Sequence, residues 1–278
     1  MSSIALPKKI EFIKGETDGQ GVIAIEPCYP GYGITLGNAL RRVMLSSLPG
    51  AAVVGVKIKG ASHEFMSIPH IKEDVLEIIL NLKQLRLSVF TDEIVKLELD
   101  VHGEKEAKAG DIMPNSDVKI ANPDLVLAHI TDMAGNLHME IYVSRGKGYE
   151  TVESREKKNT EIGYIETDSI FSPILNVGVH IENVRVGKMT NWEKLTLDVL
   201  TDGTITPEEA FNQSVSILIN QFNALIGIQN QEKLEEESTE EKIEDEEEFE
   251  QMTEEDAESM IIDVKDDSKK KRGRPKKG

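Results

Sequence analysis

The sequence has little of what secreted proteins and membrane proteins need. A single cysteine, Cys28, excludes an intrachain disulfide and a thiolate zinc site, which is typical of a reducing compartment. No apolar run reaches the roughly 18 residues of a transmembrane helix. The first residues, MSSIALPKKIEF, lack the basic start and apolar core of a signal peptide and the arginine-rich composition of a transit peptide. We therefore expect a cytoplasmic protein without a membrane partner.

Patterns that hold metals, phosphates or nucleophiles are also scarce. The six histidines form no His-x-x-x-His pair, and the chain before residue 232 has no close Asp-x-Asp cluster for Mg²⁺. The glycines of residues 31–37 are spaced one residue too widely for a dinucleotide fingerprint, and we interpret them as a tight turn into a helix. Residues 145–148, RGKG, lack the spacing of a P-loop. We predict no catalytic residue, metal or cofactor, so that a binding or assembly protein is favoured over an enzyme acting alone.

Acidic groups are abundant but unevenly placed. The chain has 50 Asp and Glu against 32 Lys and Arg. Residues 232–267 hold 19 of the acids and three lysines, a charge of −16, whereas residues 268–278 carry +7. The chain up to residue 231 is therefore an ordinary, mildly acidic globule, and the extreme charge belongs to the tail.

Apolar residues with a period of two predict half-buried antiparallel strands, and two other segments have the period of a helix. The strand segments include 10–12, 22–24, 52–58, 95–101, 137–143 and 195–199. The first helix is predicted at 36–47 and the second at about 72–85. The inward residues of the second are Val75, Ile78, Ile79, Leu82 and Leu85. Proline, glycine and charge clusters predict long loops at 103–124 and 144–164. The fold class predicted is α+β.

A third helix begins with a capping box at Thr206-Pro207-Glu208-Glu209. Downstream, apolar residues at spacings of 4, 3, 4 and 3 form a seam: Phe211, Val215, Leu218, Phe222 and Leu225. Ala210, Ile219 and Ile226 widen this apolar surface on both sides. Two interpretations remain open, a core helix that packs only on its own sheet and a subunit interface.

Two long motifs make the chain similar to a known family. Residues 30–50, PGYGITLGNALRRVMLSSLPG, and residues 202–210, DGTITPEEA, closely resemble segments of the alpha subunit of bacterial RNA polymerase. Residues 73–83, 145–149 and 171–174 match that family in the same order. The resemblance covers roughly residues 5 to 230, and several long motifs in order are far more specific than any short glycine-rich match.

The resemblance implies a non-catalytic platform within a DNA-directed RNA polymerase, a nucleotidyltransferase. It implies a dimerisation subdomain, here residues 1–48 and 167–231, and an inserted, mostly-β subdomain, residues 49–166. Two copies would form a homodimer, in which one binds the beta subunit and the other beta-prime, with omega and sigma present in the holoenzyme. A bacterial, nucleoid-associated location is implied, or the plastid stroma if the chain is organelle-encoded.

The same resemblance assigns roles to particular residues. The predicted dimer interface consists of Leu36, Leu40, Val43, Phe211, Val215, Leu218, Phe222 and Leu225. The predicted docking residues are Arg41, Arg42, Leu45 and Lys83. Arg41 and Arg42 lie about 100° apart on a helix, so they cannot share one contact, and we predict that Arg42 docks beta with Leu45 beside it. Lys83 would face beta-prime; alternatively it is a solvated lysine that offsets the helix dipole.

The tail departs from the family, whose members usually continue into a helical DNA-binding domain. The last 47 residues, 232–278, are too few and too charged for that domain, and we expect a disordered acidic linker at 232–267. In the basic tail, 268–278, the core Arg272-Gly273-Arg274-Pro275 resembles an AT-hook, which places arginines in the narrow minor groove of A/T-rich DNA. The alternative is a generic polybasic end. For the whole chain, the rival interpretation is an AT-hook chromatin-type protein.

Overall fold

Fourteen strands, three α-helices and two short 3-10 helices lie in the part of the chain that the computed structural model describes, which is residues 4–17, 19–155 and 161–227. The helices are α1 (Tyr32–Ser46), α2 (Val75–Leu82) and α3, helical at residues 207–227. The strands are β1 (Lys9–Lys14), β2 (Gln20–Cys28), β3 (Pro49–Ile58), β4 (Leu87–Val89), β5 (Val95–His102), β6 (Glu106–Lys108), β7 (Val118–Ile120), β8 (Val126–His129), β9 (Asn136–Lys147), β10 (Tyr149–Glu150), β11 (Tyr164–Glu166), β12 (Ser169–Ile170), β13 (Ile174–Val186) and β14 (Met189–Thr201). The mixture of helices and antiparallel strands confirms the predicted α+β class. The described residues up to Leu218 form one compact unit, and residues 219–227 belong to a second.

Two four-stranded antiparallel sheets organise the compact unit. The first sheet has the order β1-β2-β14-β13, so it joins the beginning of the chain to strands that follow residue 173. The second sheet has the order β11-β3-β9-β5 and is built entirely from residues between 49 and 166. Three two-stranded pairs, β4-β7, β6-β8 and β10-β12, complete the described strands.

Each large sheet has its own apolar core. The first core contains Ile23, Met44 and Leu197, and it lies between the first sheet, α1 and the start of α3. The second core contains Ile78 and Leu99, and it lies between the second sheet and α2. The first core is built from residues up to 48 and from 174 onward, and the second from residues 53–165, so each is contributed by separate stretches of the chain.

Helix α1 begins earlier than its apolar spacing predicted, because its first turns contain glycines rather than large apolar residues. Gly31, at φ 84°, precedes the helix, and Gly33 and Gly37 lie buried within it. A Cβ on Gly37 would stand 2.8 Å from Val179 Cγ1 and 2.9 Å from Leu195 Cδ1. The interpretation as a tight turn into a helix is confirmed for Gly31 but wrong for Gly33 and Gly37, which lie within the helix and allow it to lie directly on β13 and β14.

Helix α3 begins as its sequence predicted. The Thr206 N–H donates to Glu209 Oε2 over 2.9 Å, and the Glu209 N–H donates to Thr206 Oγ1 over 3.2 Å. These reciprocal bonds confirm the capping box, which satisfies two backbone donors that the helix itself leaves unpaired.

Several other predictions need correction. Helix α2 is shorter than predicted: four of the five predicted inward residues are buried within it, and the fifth, Leu85, is buried just beyond its end. Strand β1 was predicted to be half-buried, but all six of its residues are exposed because it lies at the edge of the first sheet. The two predicted loops contain short strands: β6 and β7 lie within 103–124, and β10 lies within 144–164. Strands of two or three residues are too short to show a period of two.

The two sheets are joined where glycines meet Phe171. Gly50 of β3 pairs with Gly146 of β9, and a Cβ on Gly50 would overlap the carbonyl oxygen of Phe171. A Cβ on Gly146 would stand 2.6 Å from the Phe171 ring, and the Phe171 N–H donates to Gly148 O over 2.8 Å. The absence of side chains at Gly50 and Gly146 therefore allows residue 171 to cross over the strand pair.

We expect Gly50→Ala to lower the free energy of unfolding by about 1–3 kcal/mol, because the methyl group must displace backbone rather than a flexible side chain. Urea unfolding followed by circular dichroism measures the change. Gly227→Ala is the control, because that position is helical with no atom within 4 Å of the added methyl group, and it should be neutral or slightly stabilising. Equal unfolding midpoints for Gly50→Ala and the wild type would contradict the packing described here.

Candidate protein-docking surfaces

The outward face of α1 carries two arginines and an apolar side chain. Arg41, Arg42 and Leu45 are exposed, and neither guanidinium group forms a hydrogen bond or an ion pair with a residue in the described ranges. The inward face includes Leu40 and Met44, which hold the helix on the first sheet. A fixed helix that presents free guanidinium groups beside an apolar residue is suited to bind carboxylate or carbonyl oxygens of a partner protein.

The N-terminus of α1 is already occupied by a carboxylate of the same chain. The Gly31 N–H donates to Glu193 Oε1 and the Gly33 N–H donates to Glu193 Oε2, each over 2.8 Å. A carboxylate at this end of a helix is favourable because it satisfies orphan N–H groups and opposes the positive end of the dipole. The glycine-rich segment that superficially resembles a nucleotide-binding turn thus holds Glu193.

The eight predicted dimer-interface residues differ widely in exposure. Leu40 and Phe211 are each only 5% exposed because they belong to the first core. Two residues, Phe222 and Leu225, are exposed. The other four are half-buried: Leu36, Val43, Val215 and Leu218. Leu40 and Phe211 are therefore covered by their own chain, and the surface left for a second copy is narrower than the predicted set.

Helix α3 changes character along its length. Its first turns pack on the first sheet, where Phe211 meets the ring of Phe12 edge to face at a centroid distance of 5.7 Å and Ser214 is buried. Its later described turns carry four large apolar side chains that are 51–61% exposed: Ile219, Phe222, Leu225 and Ile226. The first turns fit the interpretation of a core helix, whereas the later turns present an uncovered apolar surface.

A second surface lies beside the C-terminal end of α2. Lys83 follows the helix, and its charge acts on Asp168. The pKa of Asp168 is lowered chiefly by the hydrogen bond from the Val152 N–H, and the Tyr149 hydroxyl and Lys83 contribute further. Tyr149 and Ile170 pair across β10-β12, and both side chains are exposed. The charge of Lys83 thus acts on a carboxylate next to the β10-β12 pair, a setting that also suits a solvated lysine.

The end of α1 and the β10-β12 pair are neighbours. Ser172 Oγ donates to Leu45 O over 3.3 Å, and Ser46 O lies near Gly148. The segments that connect them, 145–149 and 171–174, are two of those that carried the family resemblance. The structure therefore brings motifs that are distant in the sequence together around the junction of the two sheets.

The described residues hold no cluster suited to a metal ion and no membrane-spanning helix. Within residues 4–17, 19–155 and 161–227, no three His, Cys, Asp or Glu side chains are arranged to hold a metal ion. An open cavity of about 770 Å³ beside the second sheet is lined by ionisable groups that pair with each other or nearby, such as His102 with Asp100 and Lys57 with Glu161. None of the helices described is long and apolar enough to cross a bilayer.

Some predicted site residues lie outside the described part of the chain, and some residues that the structure brings into contact were not predicted from the sequence. Arg272, Gly273, Arg274 and Pro275 lie outside the described residues, as do the ranges 232–267 and 268–278, so the AT-hook prediction stays a prediction. Sequence reasoning missed Glu193, Asp168 and Arg155, because none belongs to a recognisable motif. Several of their partners lie far away in the sequence, such as Gly31 and Gly33 for Glu193 and Val54 for Arg155, and only the fold brings them together.

Comparison with known proteins identifies the relatives of the chain. Residues 56–172 match the family model of the RNA polymerase Rpb3/RpoA insert domain. A protein of Desulforamulus reducens named DNA-directed RNA polymerase subunit alpha is 48% identical over 221 residues, which is 79% of this chain and 70% of the relative. A protein of the same name from Carboxydothermus hydrogenoformans is 47% identical over 214 residues, 77% of this chain and 68% of the relative. Another, from Oceanobacillus iheyensis, is 46% identical over 224 residues, 80% of this chain and 71% of the relative.

Proposed function

The chain belongs to the family of bacterial DNA-directed RNA polymerase alpha subunits, and we propose that it serves in that enzyme as a non-catalytic, homodimeric scaffold. As an alpha subunit it is part of a nucleotidyltransferase complex that carries out transcription. The scaffold nucleates assembly of the beta and beta-prime subunits, which omega and sigma join in the holoenzyme. A cytoplasmic, nucleoid-associated location belongs to this proposal.

The observation that carries the proposal is the uncovered apolar end of α3. Ile219, Phe222, Leu225 and Ile226 are more than half exposed, and a contiguous apolar surface on a helix is typical of a subunit interface. The half-buried Leu36 and Val43 of α1 and Val215 and Leu218 of α3 add apolar surface of the same kind. A second copy of the chain supplies an identical surface, which a two-fold dimer buries against itself.

We also propose that the two cores correspond to two subdomains. The first sheet with α1 and α3 would be the dimerisation subdomain, residues 1–48 and 167–231, and the second sheet with α2 the insert, residues 49–166. The separation of the two cores supports this division. The family match to an insert domain at residues 56–172 supports it as well, although it ends a few residues later.

For docking, α1 is the favoured site for beta. Arg42 and Leu45 lie one turn apart on its exposed face, and Arg42 has no partner among the described residues. Lys83, whose charge acts on Asp168 next to the β10-β12 pair, is the favoured site for beta-prime. In this arrangement the two large subunits bind different surfaces, so one dimer holds both.

The tail adds a proposed contact with DNA. Arg272 and Arg274 would enter the minor groove of A/T-rich DNA while the neighbouring lysines contact phosphates. Family membership accounts for the body of the chain, so the chromatin-type interpretation of the whole protein is set aside and only the tail contact is retained.

We expect Phe222→Glu to convert the dimer to monomer, because a buried unpaired charge costs about 3 kcal/mol or more, equivalent to a rise in dissociation constant of at least ~100-fold. Sedimentation velocity over a range of concentrations measures the change. Asn223→Glu is the matched control, since it adds the same charge at the next, polar position of the helix. An intact Phe222→Glu dimer would remove the later turns of α3 from the interface.

We expect Arg42→Ala to leave a folded dimer but to weaken capture of beta by roughly 30-fold, since truncating an interface arginine costs about 2 kcal/mol. Co-purification of tagged alpha with beta measures the loss. Arg41→Ala is the comparison, because Arg41 is equally exposed but points about 100° away, and it should have a smaller effect. If both variants capture beta like the wild type, the outward face of α1 is not the docking site.

We expect the full-length chain to bind A/T-rich duplex DNA more tightly than G/C-rich duplex DNA, and a version that ends at Asp267 to bind neither. Fluorescence anisotropy at several salt concentrations separates shape recognition from simple charge attraction. A substitution of Gly273 and Pro275 by serine keeps every charge of the tail and serves as the control. Equal affinity of the full-length chain for both duplexes would leave only a polybasic end.

A further inference from the structure

The structure assigns a positioning role to Arg155: we infer that this side chain clamps residues 166–170 against β3 and thereby holds the Lys83 surface in its docking geometry. The inference rests on the proposed function for the docking step alone. The clamp itself consists of hydrogen bonds within the chain and does not depend on the proposed function.

The Arg155 side chain uses its full set of donors. Nε–H and one Nη2–H donate to Glu150 Oε2, each over 3.3 Å, and the other Nη2–H donates to Ser169 Oγ over 3.0 Å. The two Nη1–H groups donate to Val54 O over 2.9 Å and Thr167 O over 3.3 Å. A guanidinium group has five N–H donors in a fixed fork, so all of them are satisfied here. The Arg155 side chain is only 19% exposed, so its charge is held by protein groups rather than by solvent.

The site of attachment is an irregularity in β3. The pairing of β3 with β9 shifts register between Val53 and Gly55, so Val54 is the extra residue of a bulge. The Val54 carbonyl accepts from the Thr167 N–H over 3.1 Å as well as from Arg155. Ser169 Oγ donates to Val53 O over 2.7 Å, next to this bond. The clamp thus satisfies backbone groups that the bulge removes from the regular ladder.

The clamped segment carries the residues of the second docking surface. Thr167 and Ser169 are buried on the clamped side, and Asp168 between them accepts from the Tyr149 hydroxyl and the Val152 N–H, while the charge of Lys83 also acts on it. Ile170 follows at once; its backbone pairs with Tyr149 across β10-β12, and its side chain is exposed. Because successive residues of an extended segment point to opposite sides, fixing Thr167 and Ser169 also fixes where Asp168 and Ile170 point.

The test compares full-length wild type, Arg155→Ala and Arg155→Lys. Hydrogen exchange at residues 164–172 is the first readout, and both variants should lose protection there, since a lysine has three donors on one atom and cannot span the four acceptors. Arg185→Ala is the control, because the described partner of that exposed arginine is only the Gly187 carbonyl. Wild-type exchange rates in Arg155→Ala would overturn the clamp.

The second readout is capture of beta-prime, measured with Lys83→Ala in a double-mutant cycle. We expect Arg155→Ala to weaken capture at least tenfold, and Lys83→Ala to add little in that background, because both changes disable one surface. If the double variant loses capture additively, or if Arg155→Ala weakens the capture of beta and of beta-prime equally, Arg155 contributes only general stability. If Arg155→Ala does not fold, Glu150→Gln, which weakens two of the five bonds, must show the same selective loss in smaller measure.

The two proposals fail in different ways. If the wild type captures neither large subunit, the proposed function is wrong, and hydrogen exchange alone decides whether the clamp exists. If the wild type captures beta-prime and Arg155→Ala captures it equally well, the positioning role is wrong and the scaffold function stands.

Discussion

The close approach of α1 to the first sheet is the constraint on which the rest of the structure depends. Gly33 and Gly37 bring the helix backbone against β13 and β14, and Leu40 and Met44 continue the same contact. A helix held along one face must turn the opposite face to solvent. The exposure of Arg41, Arg42 and Leu45 is therefore a consequence of packing on the other side of the helix. The proposed docking face has this orientation because Gly33 and Gly37 have no side chains.

The sequence could predict whatever depends on local periodicity. The inward face of α2, the capping box of α3 and the longer strands all follow from spacing alone, and the structure agrees with each. The start of α1 could not be found in this way, because the residue that caps it, Glu193, lies on a strand 160 positions later. Long-range partners of this kind leave no local pattern.

The candidate site shows the same division. The exposure of Phe222 and Leu225 agrees with an apolar seam that faces a partner. The burial of Leu40 and Phe211 could not be predicted, because an apolar helix residue that faces its own sheet and one that faces a partner have the same spacing. Arg155 and Asp168 carry no motif, and Arg155 binds a bulge in a strand about a hundred residues earlier. A bulge has no sequence signature that composition or period can detect.

The carboxylate at the start of α1 also limits which dissolved anions can bind there. An internal ligand held on an adjoining strand competes with any dissolved anion at an effective concentration in the millimolar range or above. Free phosphate or a nucleotide would have to displace Glu193 from both N–H groups and leave its charge without a partner. The start of the first helix is therefore a poor binding site for phosphate or a nucleotide, because its N–H groups already have a carboxylate partner.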